Sequence, residues 1–185
     1  MEVKSEQRLT ERLKAQDPKA MRVLFDRYAG YLTAVCSRYI SNREDIKDIL
    51  QEAFVRIFSS IDSFEYRGEG SLKAWMQRIT VNLALKFLRD SKEIVSYEED
   101  LGKFDIMDDE DLDVEDLPPG VIQEMIRALP VGYRTVFNLY VFEEKSHKEI
   151  AGMLGIKENS SASQLHRAKA ILAQQIREYR QKTTV

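Results

Sequence analysis

Residues 146–172, SHKEIAGMLGIKENSSASQLHRAKAIL, decide how the C-terminal part of this chain folds. Ser146 and Glu149 have the spacing of a capping box, in which each residue satisfies free N–H groups at a helix start. Gly155 follows that helix, and glycine readily adopts the positive φ of a tight turn. A second helix then completes a predicted helix-turn-helix, a unit that places its second helix in the DNA major groove. The alternative is a helical hairpin that binds nothing.

The second helix of this unit has an inward and an outward side. Ser161, Leu165 and Ala168 are predicted to face inward. Small, polar and basic side chains on the outward side can reach base edges and phosphates. His166 fits such a contact better than it fits a metal site, because no cysteine or carboxylate cluster accompanies it. The predicted DNA contacts on or beside the outward side are Ser160, Ala162, Ser163, Gln164, His166, Arg167 and Lys169.

The net charge of −3 is unevenly distributed along the 185 residues. Residues 1–90 carry +3, residues 91–120 carry −10 and residues 121–185 carry +4. Two mildly basic blocks therefore flank an acidic segment, and DNA binding by either block is compatible with the acidic total because salt screens distant charges. The acidic segment lacks a sustained helical period and ends in Pro-Pro-Gly, so it is predicted to be a linker. It is either a solvated spacer or a polyanion that occupies a site built for nucleic acid.

Composition narrows the remaining possibilities. The single cysteine, Cys36, excludes an internal disulfide framework, and its apolar helical context predicts a buried small hydrophobe. No apolar run is long enough to span a bilayer, and the charged N-terminus does not resemble a signal peptide. We therefore expect a cytoplasmic protein without membrane insertion, metal or cofactor.

The N-terminal block is predicted to be helical throughout. Asp17 and Pro18 start a helix that runs to near Ile40, and Asn42 caps the next one. That next helix has a continuous apolar face formed by Ile46, Ile49, Leu50, Ala53, Phe54, Ile57, Phe58 and Ile61.

The opposite face of the same helix is acidic and amide-rich, with one valine at its centre. It is either an ordinary solvated face or a docking stripe for a basic partner helix. We call these residues the docking stripe: Asp48, Gln51, Glu52 and Val55.

A glycine-containing loop, DSFEYRGEGS, follows this helix. Its aromatic residues, Phe64 and Tyr66, either fold back onto the core or stack on unpaired bases. Ser71 then begins another helix, one side of which combines basic residues, an asparagine and a tryptophan. That side suits phosphates and an adenine edge, although it could equally be a solvated basic face beside a core tryptophan. We call it the basic stripe: Trp75, Arg78, Asn82, Lys86 and Arg89.

These patterns predict an all-α chain with two small helical domains joined by an acidic linker. Residues 1–90 would form a helical bundle, 91–120 the linker and 121–185 the helix-turn-helix domain. In the last domain, Val136, Phe137, Tyr140 and Val141 are expected to make apolar contacts.

Three motifs together resemble the sigma-70 family, and within it the extracytoplasmic-function (ECF) group. They are DIKDILQEAFVRIF, SLKAWMQRITVNLALKFLR and the segment from LPVGYRTVFNLYVFEEK through the helix-turn-helix. The resemblance covers roughly residues 20–90 and 121–175. The order and combination of the motifs are specific, whereas each motif alone is not.

The resemblance implies a role for each part of the chain. The docking stripe matches the helix that binds the beta-prime clamp helices of core RNA polymerase, and the beta flap is a further expected contact. The loop with Phe64 and the helix with Asn82 match the part that captures a flipped base of the minus-ten promoter element. The helix-turn-helix matches the reader of the minus-thirty-five element, and the acidic linker matches a segment that threads towards the active centre. An anti-sigma factor is expected as a regulatory partner.

Two residues depart from the family pattern. Ala162 stands where many relatives have Lys or Arg, which implies fewer contacts to bases or phosphates. Ser161 replaces a common valine, which implies weaker packing. A dimeric helix-turn-helix regulator is the second hypothesis, although no heptad repeat supports it. A small helical enzyme is the third, and no cluster of catalytic groups supports it.

Overall fold

The computed structural model describes residues 5–91, 114 and 117–183. Within that part of the chain the protein has eight α-helices, one 3₁₀ helix (Ile61–Ser63) and no strand, which confirms the all-α prediction. The α-helices are α1 (Glu6–Lys14), α2 (Pro18–Ser37), α3 (Arg43–Ser60), α4 (Ser71–Asp90), α5 (Pro119–Ala128), α6 (Val131–Val141), α7 (His147–Leu154) and α8 (Glu158–Thr183).

The chain divides into two compact units. Unit 1 spans Met1–Phe87 and unit 2 spans Leu88–Val185. Most of the predicted acidic linker, residues 92–113, 115 and 116, lies outside the described residues. The predicted linker boundaries at 91 and 120 therefore stay predictions.

The helix starts of unit 1 follow the predicted caps. The Asp17 carboxylate accepts the N–H of Lys19, and the Asn42 side chain accepts the N–H groups of Glu44 and Asp45. Each cap satisfies donors that the first helical turn leaves without a partner. Cys36 is fully buried, as predicted, and burial raises the pKa of its thiol to about 12.

The core of unit 1 gathers side chains from four helices and the loop between α3 and α4. The predicted apolar face of α3 is buried or half-buried along its whole length. Leu9 and Leu13 of α1 are also fully buried, and α1 packs against α2 and the 3₁₀ helix. The central cluster comprises Leu9, Leu13, Ala20, Leu24, Tyr28, Leu32, Phe54, Ile57, Ile61, Phe64, Leu72 and Met76.

Unit 2 is organised around α8, against which α5, α6 and α7 all pack. Val136 and Phe137 are buried as predicted. The prediction for Tyr140 and Val141 is wrong, because these side chains are 41% and 44% exposed. Residues 132–139 of α6 are all buried, so this helix is enclosed on every side and reaches the surface only at its end.

Candidate functional site

The helix-turn-helix of unit 2 forms by local contacts, as predicted. The Glu149 carboxylate accepts the Ser146 N–H at 2.9 Å, and the Ser146 hydroxyl oxygen accepts the Glu149 N–H at 3.3 Å. The Ser146 N–H is the largest influence that lowers the pKa of Glu149. At the other end of α7, Gly155 has a φ of +70° and its N–H donates to the Ala151 carbonyl. This backbone conformation strains residues that carry a Cβ, which explains the glycine.

A buried hydrogen bond joins the two helices of this unit. The Ser161 hydroxyl oxygen is fully buried and lies 3.0 Å from His147 Nδ1. The His147 ring also stacks on Tyr140, with 4.9 Å between ring centres. The polar Ser161 side chain therefore has a hydrogen-bond partner at its buried position. Sequence analysis expected only weaker packing from a serine in place of the common valine and did not predict this bond.

The predicted DNA contacts of α8 differ in exposure. Ala162 and Ser163 are exposed, whereas Ser160, His166 and Lys169 are half-buried. Arg167 is also half-buried and its guanidinium donates to the Tyr133 hydroxyl at 3.2 Å. Gln164 is only 8% exposed, so it does not present its amide to DNA in this structure.

Gln164 faces inward because of its position on the helix relative to its buried neighbours. It directly precedes Leu165 and follows Ser161 by three positions, so it shares the buried side of α8 with them. Sequence analysis did not select two exposed lysines of the helix-turn-helix. They are Lys148 in the first turn of α7 and Lys157 directly before α8. Their positions beside the predicted cap and the turn were the features of the sequence that could have identified them as candidate DNA contacts.

All four residues of the docking stripe on α3 are exposed. Val55 is 62% exposed, the highest value among the exposed large apolar residues in the described part of the chain. Glu52 pairs with Arg56 one turn later, at 2.6 Å. Phe25 of α2, also exposed, lies against Phe54 of α3 with 4.8 Å between ring centres. Sequence analysis did not predict this second apolar residue near the stripe, because Phe25 lies on another helix.

The loop between α3 and α4 separates its two aromatic residues. Phe64 is 5% exposed, belongs to the core cluster, and lies 5.0 Å from the Trp75 ring between centres. The assignment of Phe64 to DNA therefore does not fit this structure, which favours the alternative that it folds back onto the core. Tyr66 is half-buried, and its hydroxyl donates to Glu69 at 3.3 Å. Partial burial, then the Glu69 charge, raise the pKa of Tyr66.

The basic stripe of α4 presents its polar members to solvent. Arg78, Asn82, Lys86 and Arg89 are exposed, while Trp75 is half-buried against the core cluster. Beside Asn82, unit 1 has an open groove of about 400 Å³. The groove is lined by Arg56, Ser59, Ser60, Ile79 and Asn82.

The groove combines an apolar floor residue with hydrogen-bonding groups, which suits a planar, polar ligand such as a nucleobase. Arg56 was not predicted as a site residue. It lies one turn beyond Glu52 on α3, and its signal in the sequence was that i, i+4 spacing alone.

Other kinds of site receive no support within residues 5–91, 114 and 117–183. No three His, Cys, Asp or Glu side chains there are grouped to hold a metal ion. None of the described helices has both the length and the apolar character that crossing a bilayer requires.

An all-α chain with a helix-turn-helix falls within a broad class of DNA-binding proteins. Family models narrow this class. Residues 24–94 match the model for sigma-70 region 2, and residues 120–172 match the model for sigma-70 region 4.

Relatives cover nearly the whole chain. The ECF RNA polymerase sigma-E factor of Haemophilus influenzae is 29% identical, over 93% of this chain and 95% of the relative. The factor of the same name from Escherichia coli strain K12 is 28% identical, over 89% of this chain and 91% of the relative.

Two solved structures are also similar. The sigma factor RpoE in complex with the anti-sigma factor NepR, from Bartonella quintana, has a TM-score of 0.48, with 19% identity over 86% of this chain and 98% of that one. CnrH in complex with the cytosolic domain of CnrY has a TM-score of 0.48, with 21% identity over 92% of this chain and 96% of that one.

The chain belongs to the sigma-70 family of RNA polymerase sigma factors, in its ECF group. It binds core RNA polymerase and directs promoter-dependent initiation of transcription.

Proposed function

We propose that the docking stripe on α3 binds the beta-prime clamp helices of core RNA polymerase. The observation that carries this proposal is the exposure of Val55 within a row of exposed Asp48, Gln51 and Glu52 side chains. An apolar centre with a polar rim is the usual composition of a protein–protein interface. The acidic rim complements a basic partner helix and speeds its association.

The test replaces Asp48, Gln51 and Glu52 together by alanine and measures the dissociation constant with purified core polymerase. We expect affinity to fall by at least about tenfold, because the variant removes two charges and one amide that would pair with the basic partner helix. The matched control is Q7A/E11A, which removes one amide and one carboxylate from an exposed face of α1. Equal affinity of the triple variant and the control would contradict the proposal.

We propose that the groove beside Asn82 and the half-buried ring of Tyr66 hold an unpaired base of the minus-ten element. Arg78, Lys86 and Arg89 would contact phosphates along α4, and Trp75 would support the groove from the core side. A flipped base costs a few kcal/mol of unstacking, and stacking on an aromatic side chain returns about 1–3 kcal/mol per base. Capture of that base favours strand opening by the polymerase. Phe64 is omitted from this set because it is buried.

We propose that α8 reads the minus-thirty-five element in the major groove through Ser160, Ala162, Ser163, His166, Arg167 and Lys169. Exposed Lys148 and Lys157 add phosphate contacts at the ends of the unit. Gln164 is left out of the direct contacts because it is buried. Because the exposed members of this set are an alanine and a serine, α8 offers few direct base contacts, so affinity for isolated duplex DNA is expected to be low.

The end of α6 offers a second docking surface, on unit 2. Tyr140, Val141 and Phe142 are each more than two-fifths exposed and adjacent in sequence. We propose that this apolar patch binds the beta flap of core polymerase.

We further propose that the chain is not itself an enzyme and needs no cofactor, that it acts in the bacterial cytoplasm, and that an anti-sigma factor regulates it. Membership of the ECF group supports each of these points. The decisive assay is run-off transcription of a genomic template library by core polymerase, with and without the chain. A dimeric regulator would instead bind DNA tightly without polymerase and would add no promoter-dependent transcripts.

A further inference from the structure

The first residue of α1 is bound to the far end of the loop that precedes α4. The Glu6 side chain is buried, although glutamate is among the residues that are rarely so. Its Oε2 accepts the N–H of Gly70 at 2.7 Å and the N–H of Leu72 at 3.2 Å. Its Oε1 accepts the Tyr28 hydroxyl at 2.9 Å. Glu6 therefore caps the N-terminus of α4 from a helix more than sixty residues earlier in the chain.

The loop returns this contact. The Glu69 carboxylate accepts the backbone N–H of Glu6, with 3.1 Å between the Glu6 nitrogen and Glu69 Oε1. The same Glu69 oxygen accepts the hydroxyl of Tyr66. The starts of α1 and α4 therefore cap each other, and Tyr66 is attached to this reciprocal pair. Glu6 hence reaches the proposed base-binding residue through one loop side chain.

The loop needs such a restraint because its own backbone is permissive. Gly68 has a φ of +120° and Gly70 a φ of +90°, and glycine populates many other conformations. Phe64 fixes the start of the loop in the core, and Glu6 fixes its end. Restraint at both ends removes conformational freedom before DNA arrives, so less is lost when a base binds.

We propose that Glu6 is a positioning residue for promoter melting: it holds the loop between α3 and α4 in the conformation in which Tyr66 receives the unpaired base. This inference rests on the proposed minus-ten role of the loop. Glu6 itself touches no DNA in this scheme. Its contribution is the geometry of the loop, which distinguishes it from residues of the groove and of the basic stripe.

The test uses full-length chain bound to core polymerase. The probe is a fluorescent single strand carrying the nontemplate minus-ten element of a promoter that the wild-type holoenzyme transcribes. A second probe has an abasic site at the position whose base contributes most to wild-type binding. The variants are E6A, E6Q and E69A, with E11A as the control from an exposed position on the same helix. Y66A and N82A report on the proposed binding site itself.

We expect E6A to weaken binding of the intact strand by about 5- to 10-fold, which is the effect of leaving buried donors without an acceptor. Glutamine keeps an oxygen acceptor for Gly70 and Leu72, so E6Q should bind within about twofold of wild type. E11A should match wild type. On the abasic strand E6A and wild type should bind alike, because the preformed base contact is absent for both. Core affinity should be the same for all four proteins.

Three outcomes would overturn the inference. If E6A weakens the intact and abasic strands equally, or lowers core affinity in proportion, Glu6 only stabilises the fold. If Y66A and N82A weaken binding and E6A does not, the minus-ten proposal stands and the role of Glu6 falls. If none of the three weakens binding, the minus-ten proposal itself fails.

E69A covers the case in which E6A does not fold. Glu69 is exposed, and its replacement leaves the core intact while removing the acceptor shared by Tyr66 and the Glu6 N–H. We expect E69A to weaken the intact strand by about 2- to 5-fold and to leave the abasic strand unchanged. Wild-type affinity of E69A for the intact strand would overturn the inference as well.

Discussion

The N-termini of α4 and α7 are capped in opposite ways, one by a distant residue and the other by a neighbouring one. Both need acceptors for backbone N–H groups that the first helical turn leaves without partners. At α7 the acceptor is Glu149, three residues from Ser146. At α4 it is Glu6, 64 residues from Gly70. Helix α7 therefore carries its cap in its own sequence, whereas the cap of α4 forms only when another helix, α1, folds against it.

The difference matches what each element is proposed to do. A reader of intact duplex DNA works as a rigid unit, and α7 and α8 of unit 2 are set by a local cap, a glycine turn and one buried hydrogen bond. A loop that receives an unpaired base must be ordered without a regular backbone of its own. In unit 1 that order comes from Phe64 and Glu6, so it depends on the stability of the whole unit.

The largest expected effect separates the two aromatic residues of the loop. F64A removes a buried ring from the unit 1 core and should lower its free energy of unfolding by about 3–5 kcal/mol. Trp75 is the single tryptophan of the chain, so its fluorescence during urea unfolding reports unit 1 alone. The control Y66A, at a half-buried position, should cost less than about 1.5 kcal/mol. Equal losses for F64A and Y66A would show that Phe64 is not the residue that anchors the loop.

The next effect concerns the long-range cap. E6A leaves the N–H of Leu72 and the Tyr28 hydroxyl without their acceptor, and should lower the unfolding free energy of unit 1 by about 1–3 kcal/mol. E6Q should recover most of that loss, since an amide oxygen replaces the carboxylate oxygen. The same tryptophan signal measures both variants. A loss for E6Q as large as for E6A would mean that charge, rather than hydrogen bonding, is what α4 requires.

The sequence alone was enough to predict those features of both units that depend on residues close together in the chain. Asp17, Asn42, Ser146 and Gly155 act as predicted because caps and turns are set within a few positions. The buried face of α3 also follows from its periodicity alone.

The failures concern contacts between distant segments. The family resemblance assigned Phe64 to DNA, and its loop position in the sequence carries no information about which way the side chain turns. Tyr140 and Val141 were expected to make apolar contacts like Val136 and Phe137, because an apolar pattern does not reveal which neighbour a helix packs against. The role of Glu6 was not predicted, because no residue near it in the sequence indicates that its carboxylate is buried. A pattern of acceptors and donors across 64 residues is visible only in three dimensions.

The local cap should be worth less than the long-range one. S146A removes the hydroxyl that accepts the Glu149 N–H and should lower the unfolding free energy of unit 2 by about 1 kcal/mol. Far-UV circular dichroism follows both units, and the part of the transition that tryptophan fluorescence does not report belongs to unit 2. The control S163A changes an exposed serine within α8 and should have almost no effect. A shift of the Trp75 transition by S146A would contradict the local character of this cap.

The smallest effect is a pH dependence confined to the local cap. The Ser146 N–H, then the Ser146 hydroxyl and Lys145, hold the pKa of Glu149 below its ordinary value of 4.5. A carboxylate with a lowered pKa in the folded state stabilises it above the unfolded pKa, and this contribution disappears as the pH falls through the folded pKa. Unit 2 of the wild type should therefore lose stability below about pH 4.5 relative to E149Q, whose side chain does not titrate. The two proteins should differ most at neutral pH, and their unit 2 transitions should converge in acid. Parallel curves for wild type and E149Q from neutral pH into acid would show that the Glu149 charge contributes nothing to the cap of α7.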